Sequence, residues 1–205
     1  MAKTSSSPTR RRVIGILAAA AGLPLLPHTA SAGRGSELVE WRGTVMGAMA
    51  RLLIHHHDRS EAQRIIDRAL AEVARLEAVF SLYRQDSSLT QLNARSVLEA
   101  PPAELVDLLN ECGEWHRLSG GAFDPTVQPL WRLYARHFAE ADGRAPDQEA
   151  VTEALADIGF QNMLFNRDRI AFKRRGVALT LNGIAQGYIT DRVVALLRAE
   201  GIGQS

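Results

Sequence analysis

Between Ser60 and Phe80, apolar side chains recur at intervals of three and four: Ala62, Ile65, Ile66, Ala69, Leu70, Val73, Leu76 and Phe80. That period places them on one face of an α-helix, and so long a face must be buried against another layer. Ser60 with Gln63 three residues later has the form of a capping box, so the helix is expected to start there. Arg68 and Arg75 lie on the other side and are expected to be solvated. Upstream, Leu38 to Met46 and Met49 to His55 read as two strands broken at Gly47, a hairpin feeding the helix. His55, His56 and His57 cannot all converge on a metal, because neighbours in a strand face opposite ways; they read as a solvated strand end.

The rest of the chain keeps mixing the two kinds of element. A second helix is expected after Pro101-Pro102, with Leu105, Leu108, Leu109, Cys112 and Trp115 as its stripe and Ser119-Gly120-Gly121 as its stop. Residues 126–140 and 147–157 read as helices joined by Asp142-Gly143. Met163–Phe165 and Ile170–Phe172 read as a hairpin about Asn166-Arg167-Asp168. Val177 to Leu181 reads as a continuous apolar strand, and Gly183 to Glu200 as a helix with Ile184, Val193, Val194, Leu196 and Leu197 inside. Early strands, a helical middle and later strands give an α+β class.

Residues 1–32 read as an export signal. Arg10, Arg11 and Arg12 precede an apolar run from Val13 to Leu26, and Ala30-Ser31-Ala32 has the small-x-small form of a cleavage site. The run is too short to span a bilayer comfortably. Thr9-Arg10-Arg11-Arg12-Val13-Ile14 also resembles a twin-arginine signal, which carries folded proteins to the periplasm. These residues hold Lys3 and three arginines but no acid, so the formal charge of +1 for the 205 residues hides a mildly acidic body. That balance argues against a nucleic-acid partner. The single cysteine, Cys112, forbids an internal disulfide, and its place in an apolar stripe makes it a small buried hydrophobe.

Three segments carry the chemistry. The first, Ser81 to Asn93, is a polar loop leading into a short helix near Ser87-Ser88, and offers the ring and hydroxyl of Tyr83. The second, Gly120 to Trp131, opens with two glycines that allow close approach of the backbone to a ligand. Asp124 stands before Pro125 and is either an N-cap or an acceptor for a base or ribose. The third, Thr180 to Asp191, runs from an apolar segment through Gly183 into a helix. Free backbone N–H groups at such a start suit a phosphate, although a tight turn explains the sequence equally well. It is neither a P-loop nor a dinucleotide glycine fingerprint.

In this order the segments resemble the ApbE family of flavin transferases. That family reads approximately M-G-T, then S-x-Y-x-x-x-S-x-[IL]-x-x-[FL]-N, then G-G-x-F-D-x-T-V-x-P-L, then D-L-G-G-I-A-K-G-Y-x-x-D. The matching stretches are Met46-Gly47, Ser81 to Asn93, Gly120 to Leu130 and Gly183 to Asp191, within residues 40–205. The resemblance implies a T-fold-related domain over residues 33–205 that uses FAD and magnesium. It implies transfer of the FMN half onto a threonine of an acceptor flavoprotein, with AMP leaving. By the same analogy Met46, Tyr83, Ala122, Phe123, Asp124, Thr180 and Gln186 occupy flavin-nucleotide positions. The Gly183 backbone carbonyl occupies the position facing the metal, and no residue is assigned as the catalytic base.

Three departures qualify the resemblance. Thr180 holds the place of the usual aspartate, Asn182 stands where glycine or serine is common, and Gln186 replaces the usual lysine. The Asn-Gly-Ile-Ala-Gln-Gly-Tyr wording resembles the NosX-like branch beside nitrous-oxide respiration, whose proposed acceptor is a membrane-bound respiratory flavoprotein. The segment that completes the family's metal site has no counterpart in these residues, so the domain is expected to be incomplete at its C-terminus. Two further functions stay open: a flavin-binding carrier without turnover, and a periplasmic binding protein for a ligand other than flavin.

Overall fold

A computed structural model describes residues 36–140 and 145–202 of the chain. The export signal expected over residues 1–32, the Asp142-Gly143 joint and the last three residues lie outside the described residues. Strands β1 (Glu37–Val45) and β2 (Ala48–His56) pair antiparallel, from Glu37 opposite His56 to Val45 opposite Ala48. Only Met46 and Gly47 lie between them, with φ of 51° and 79°. A two-residue hairpin turn of that kind needs positive φ at both positions, which glycine adopts freely and methionine at some cost. The hairpin is the expected one.

Helix α1 (Arg59–Phe80) follows, and its buried residues are Ala62, Ile65, Ile66, Ala69, Leu76, Val79 and Phe80. Its cap is Asp58 rather than Ser60. The Asp58 carboxylate accepts from the backbone N–H of Ser60 and of Glu61, at 2.8 and 3.2 Å. An ionised acceptor there satisfies two free donors and opposes the positive end of the helix dipole, so the helix begins earlier than the capping-box pattern suggested. The N–H groups of Glu61 and Ser60 hold the Asp58 carboxyl below its usual range.

Helix α2 (Ser88–Arg95), strand β3 (Val97–Glu99) and helix α3 (Ala103–Leu118) come next. After a 3₁₀ turn at Pro125–Val127 come α4 (Gln128–Glu140) and α5 (Gln148–Ala156). Strands β4 (Met163–Phe165) and β5 (Arg169–Phe172) form the second expected hairpin, and β3 pairs antiparallel on the other edge of β5. Helix α6 (Ala185–Ala199) ends the described chain. No helix among the described residues is long and apolar enough to cross a membrane.

The core has two parts. Val39, Ile54, Ala62, Ile65, Ile66, Leu197 and Ile202 join the first hairpin to α1 and α6. The larger part gathers Leu76 and Phe80 of α1, Leu105 and Leu109 of α3, Ile170 of β5 and Leu179. Each such fully buried side chain contributes about 1.5–3 kcal/mol. Cys112 lies in this larger part, and burial pushes its thiol up to about 12. Trp115, assigned to the same stripe, is instead exposed. The arginines of α1 are exposed but paired: Arg68 meets Glu200 at 2.7 Å, and Arg75 bridges to Glu104 of α3 at 2.7 Å.

One expected strand does not form. Val177, Ala178, Leu179 and Leu181 are buried, yet residues 177–181 belong to no strand. Their polar groups are satisfied in other ways. The Asn93 side chain donates from Nδ2 to the Leu179 carbonyl at 2.8 Å and accepts the Leu179 N–H on Oδ1 at 2.7 Å. The Thr180 N–H donates to the Pro125 carbonyl at 2.8 Å. One side-chain amide thus stands in for a neighbouring strand, and the apolar run is explained by burial alone.

Candidate functional site

The loop that displays Tyr83 is tied down by three hydroxyls. Ser87 Oγ donates to the Ser81 carbonyl at 2.5 Å and accepts the Thr90 N–H at 3.0 Å, capping α2. Thr90 Oγ1 donates to the same carbonyl at 3.2 Å, and the Tyr83 N–H donates to Ser81 Oγ at 3.1 Å. The loop is thereby fixed while the Tyr83 ring stays 64% exposed, so this tyrosine does not serve core packing. A Cβ on Gly47 would come within 3.1 Å of Tyr83 Cε2, so the hairpin turn abuts the ring. Beside Gly47, Met46 is buried in the core, and its N–H donates to Glu77 Oε1 at 2.5 Å.

The second segment is also anchored internally. Both Asp124 oxygens are engaged: Oδ1 accepts from the Thr126 N–H at 2.8 Å and from Thr126 Oγ1 at 2.6 Å, and Oδ2 accepts the Phe160 N–H at 3.1 Å. His116 Nδ1 sits 2.9 Å from the Phe123 carbonyl and 3.5 Å from Asp124 Oδ2, with its ring stacked on Phe160. Asp124 is therefore the N-cap of the 3₁₀ turn and a tie to the β4 approach. Gly120 and Gly121 both have positive φ, and a Cβ on Gly120 would meet nothing within 4 Å. Their left-handed backbone, not close approach by protein atoms, is what calls for glycine. Ala122 is exposed and Phe123 half-buried.

The third segment meets the other two. Thr180 is bound to Pro125 as described, and Gly183 lies beside the Phe123 ring, 3.9 Å from a built Cβ to Cε2. Asn182 Nδ2 lies 3.4 Å from the Tyr83 hydroxyl. A cleft of about 400 Å³ opens here, lined by Tyr83, Gln128, Trp131, Arg132 and Asn182 among others. Gln186 is exposed and lines a different, larger groove of about 600 Å³, mostly apolar, bounded by the first hairpin, α1 and α6. Tyr83, Phe123, Thr180 and Gly183 are thus drawn together around the start of α6. Met46 supports this region from the core, and Gln186 opens elsewhere. No side chain among the described residues caps the start of α6. The Tyr188 ring packs edge-on against Phe80, and burial raises its phenol above its usual range.

The sequence profile of the ApbE family matches residues 46–205. The chain belongs to the ApbE family. Among curated relatives, the FAD:protein FMN transferase of Treponema pallidum is 27% identical over 168 residues, covering 77% of this chain and 46% of that protein. The FAD:protein FMN transferase of Escherichia coli K12 is 24% identical, covering 82% of this chain and 50% of that protein. Among solved structures, the flavin transferase ApbE from Vibrio cholerae superposes with a TM-score of 0.69 at 25% identity, covering 82% of this chain and 55% of that one. The ApbE protein from Thermotoga maritima gives 0.69 at 27% identity, covering 78% and 52%. The chain spans about half the length of the curated relatives it matches. The α+β architecture is the ApbE flavin transferase fold over that span.

Sequence reasoning left out the residues that do the joining. Asn93, Glu77 and His116 hold ApbE-family positions in place, yet none is assigned a role by the motif resemblance. Asn93 closes the first motif, and only its partner far along the chain reveals its use. Magnesium is a separate matter. Among the described residues there is no group of three or more His, Cys, Asp or Glu that could hold a metal. The Gly183 carbonyl is one hard oxygen, and Mg²⁺ takes about six such ligands. The described residues therefore do not fit the ion by themselves, and no step is derived through it.

Proposed function

We propose that this chain forms the flavin-nucleotide part of an FAD:protein FMN transferase. The observation that carries the reading is the family match over residues 46–205, together with the meeting of its three motifs at one cleft. In that reaction a threonine hydroxyl of an acceptor flavoprotein attacks the phosphorus of the FMN half of FAD. A new P–O bond forms, the pyrophosphate bond breaks, AMP departs, and the hydroxyl proton is lost. The part derived for this chain is positioning. The Asn93 and Pro125 contacts hold the segment that enters α6, and the positive end of that helix's dipole favours a phosphate. Tyr83, fixed by Ser81 and Ser87, offers a stacking face.

Magnesium, the usual partner of pyrophosphate chemistry, belongs to the proposal through the family resemblance, with the Gly183 carbonyl as its contact. Arg10 to Arg12 and Ala30-Ser31-Ala32 support a twin-arginine signal over residues 1–32 and a periplasmic location for residues 33–205. The Asn182-Gly183 wording supports the NosX-like branch and a membrane-bound respiratory acceptor. The test is incubation of the chain with FAD, Mg²⁺ and a threonine-bearing acceptor. AMP release and a fluorescent acceptor band are expected. FAD binding without AMP release would instead support the carrier. Failure to bind FAD would overturn both.

A further inference from the structure

Helix α4 carries an aromatic face that the fold leaves open. Trp131, Tyr134 and Phe138 follow one another at intervals of three and four, within about 60° around the helix. They are 56%, 37% and 54% exposed. The Tyr134 and Phe138 rings lie 6.0 Å apart, centre to centre, so the ridge is continuous there. α4 packs on α5 and on the 3₁₀ turn before it, with Leu130 and Leu133 half-buried and only Gln128 fully buried. α5 buries none of its residues. Arg132 and Arg136 stand one turn apart on another side of α4. Among the described residues neither has an ion pair or hydrogen bond, whereas Arg117 and Arg174 each hold an acid. The only acid of α4 is Glu140, at its far end.

We propose that α4 seats on an anionic lipid bilayer, with its three rings at headgroup level and Arg132 and Arg136 meeting lipid phosphates. An apolar stripe of large rings beside a cationic side is the pattern of a helix lying in a membrane interface. Trp and Tyr join an apolar ring to a polar tip, which suits that boundary. The body of the protein is mildly acidic, so two unpaired cations on this helix are where an anionic surface is attracted rather than repelled. A protein partner fits less well, because Tyr134 and Phe138 line neither of the two clefts described above and offer no groove for a side chain. With 13 residues α4 lies on the bilayer and does not cross it. Trp131 and Arg132 also line the 400 Å³ cleft, so seating α4 brings the mouth of that cleft to the lipid. On the transferase reading above, that is where a membrane-bound acceptor presents its threonine; the lipid contact itself does not depend on that reading.

The experiment uses the full chain carrying Trp41→Phe and Trp115→Phe, which leaves Trp131 as its only tryptophan. Vesicles of phosphatidylglycerol and phosphatidylcholine with brominated acyl chains are added. Trp131 emission is expected to shift to the blue and to be quenched. Binding through residues 1–32 alone would leave Trp131 bright, since quenching needs bromine beside the ring. Arg132→Gln and Arg136→Gln should each lower the ratio of seated to open ridge about fivefold. Hydrogen exchange on the unaltered chain serves as a second measurement that needs no tryptophan replacement. Vesicles should protect the α4 amides, and Phe138→Ser should abolish that protection. Unquenched Trp131 together with unprotected α4 amides would overturn the proposal. So would equal quenching on phosphatidylcholine alone, because the arginines then contribute nothing. Protection of α4 by a threonine-bearing acceptor protein but not by vesicles would make the ridge a protein-docking face instead. Dimerisation without lipid that Phe138→Ser abolishes would give the ridge to a second copy of the chain. FAD enters none of these measurements, so their failure leaves the flavin reading standing, and a chain that seats on lipid but binds no FAD loses only that reading.

Discussion

Replacing Asn93 with alanine should unfasten the segment that leads into α6. The side chain makes two short hydrogen bonds to one residue, 2.8 Å to the Leu179 carbonyl and 2.7 Å from the Leu179 N–H. Leu179 is 0% exposed, so water does not replace them without opening the core. A buried backbone group left unpaired costs about 1–3 kcal/mol, so losing both costs about 2–6 kcal/mol. For a domain of this size the urea slope is about 2 kcal/mol/M, so the midpoint should fall by about 1–3 M. The assay is urea unfolding followed by far-ultraviolet circular dichroism. Asn93→Asp sharpens it. An aspartate keeps the acceptor for the Leu179 N–H but removes the donor and sets a carboxylate against the Leu179 carbonyl, so it should fare no better than alanine. A midpoint for Asn93→Ala within about 0.2 M of the parent, at unchanged slope, would refute the idea that this amide replaces a strand.

Asp124→Ala removes the acceptor for Thr126 and Phe160, so it should cost about 2–4 kcal/mol in urea unfolding and also weaken FAD binding; normal stability would show that the 3₁₀ turn holds without its cap. Asp58 titrates below its usual value because it accepts from Glu61 and Ser60, so its contribution is complete above about pH 4 and disappears as the pH falls through the lowered value. An asparagine in its place would cap without titrating. Stability of the Asp58→Asn variant should therefore depend less steeply on pH below about 4, and an unchanged slope would count against the cap.

The elements most legible in the sequence were those whose signal is local. The stripe of α1 and the break at Gly47 carry their own periodicity and turn chemistry, and both formed where expected. The cap of α1 lies two residues before the one its capping-box pattern predicts because Asp58 and Ser60 are both good caps, and the choice between them depends on charge at the helix start. Trp115 has the spacing of the α3 stripe but faces water, since spacing identifies a face and not how far a neighbour extends over it. The run Val177 to Leu181 misled for a different reason. Apolar continuity reports burial on all sides, and a sheet interior is only one way to be buried.

The site follows the same division. The motifs that display Tyr83, Phe123 and Gly183 are visible in the sequence because each is contiguous. What brings them together is not contiguous. Asn93 ends the first motif and binds Leu179 just ahead of the third, 86 residues later. The Pro125 carbonyl of the second motif binds the Thr180 N–H of the third. Gly47 packs against Tyr83, and Glu77 holds the turn that contains Gly47 by its Met46 N–H. Each joint between motifs is a polar group of one satisfying the backbone of another in a buried setting, where an unpaired partner is costly. The buried segment 177–181 therefore has no sheet to fall back on. Its position is set by the first and second motifs, and with it the placement of Asn182 and the start of α6. A change in any one motif should consequently be felt as a loss of geometry in the other two, before any ligand contact is removed.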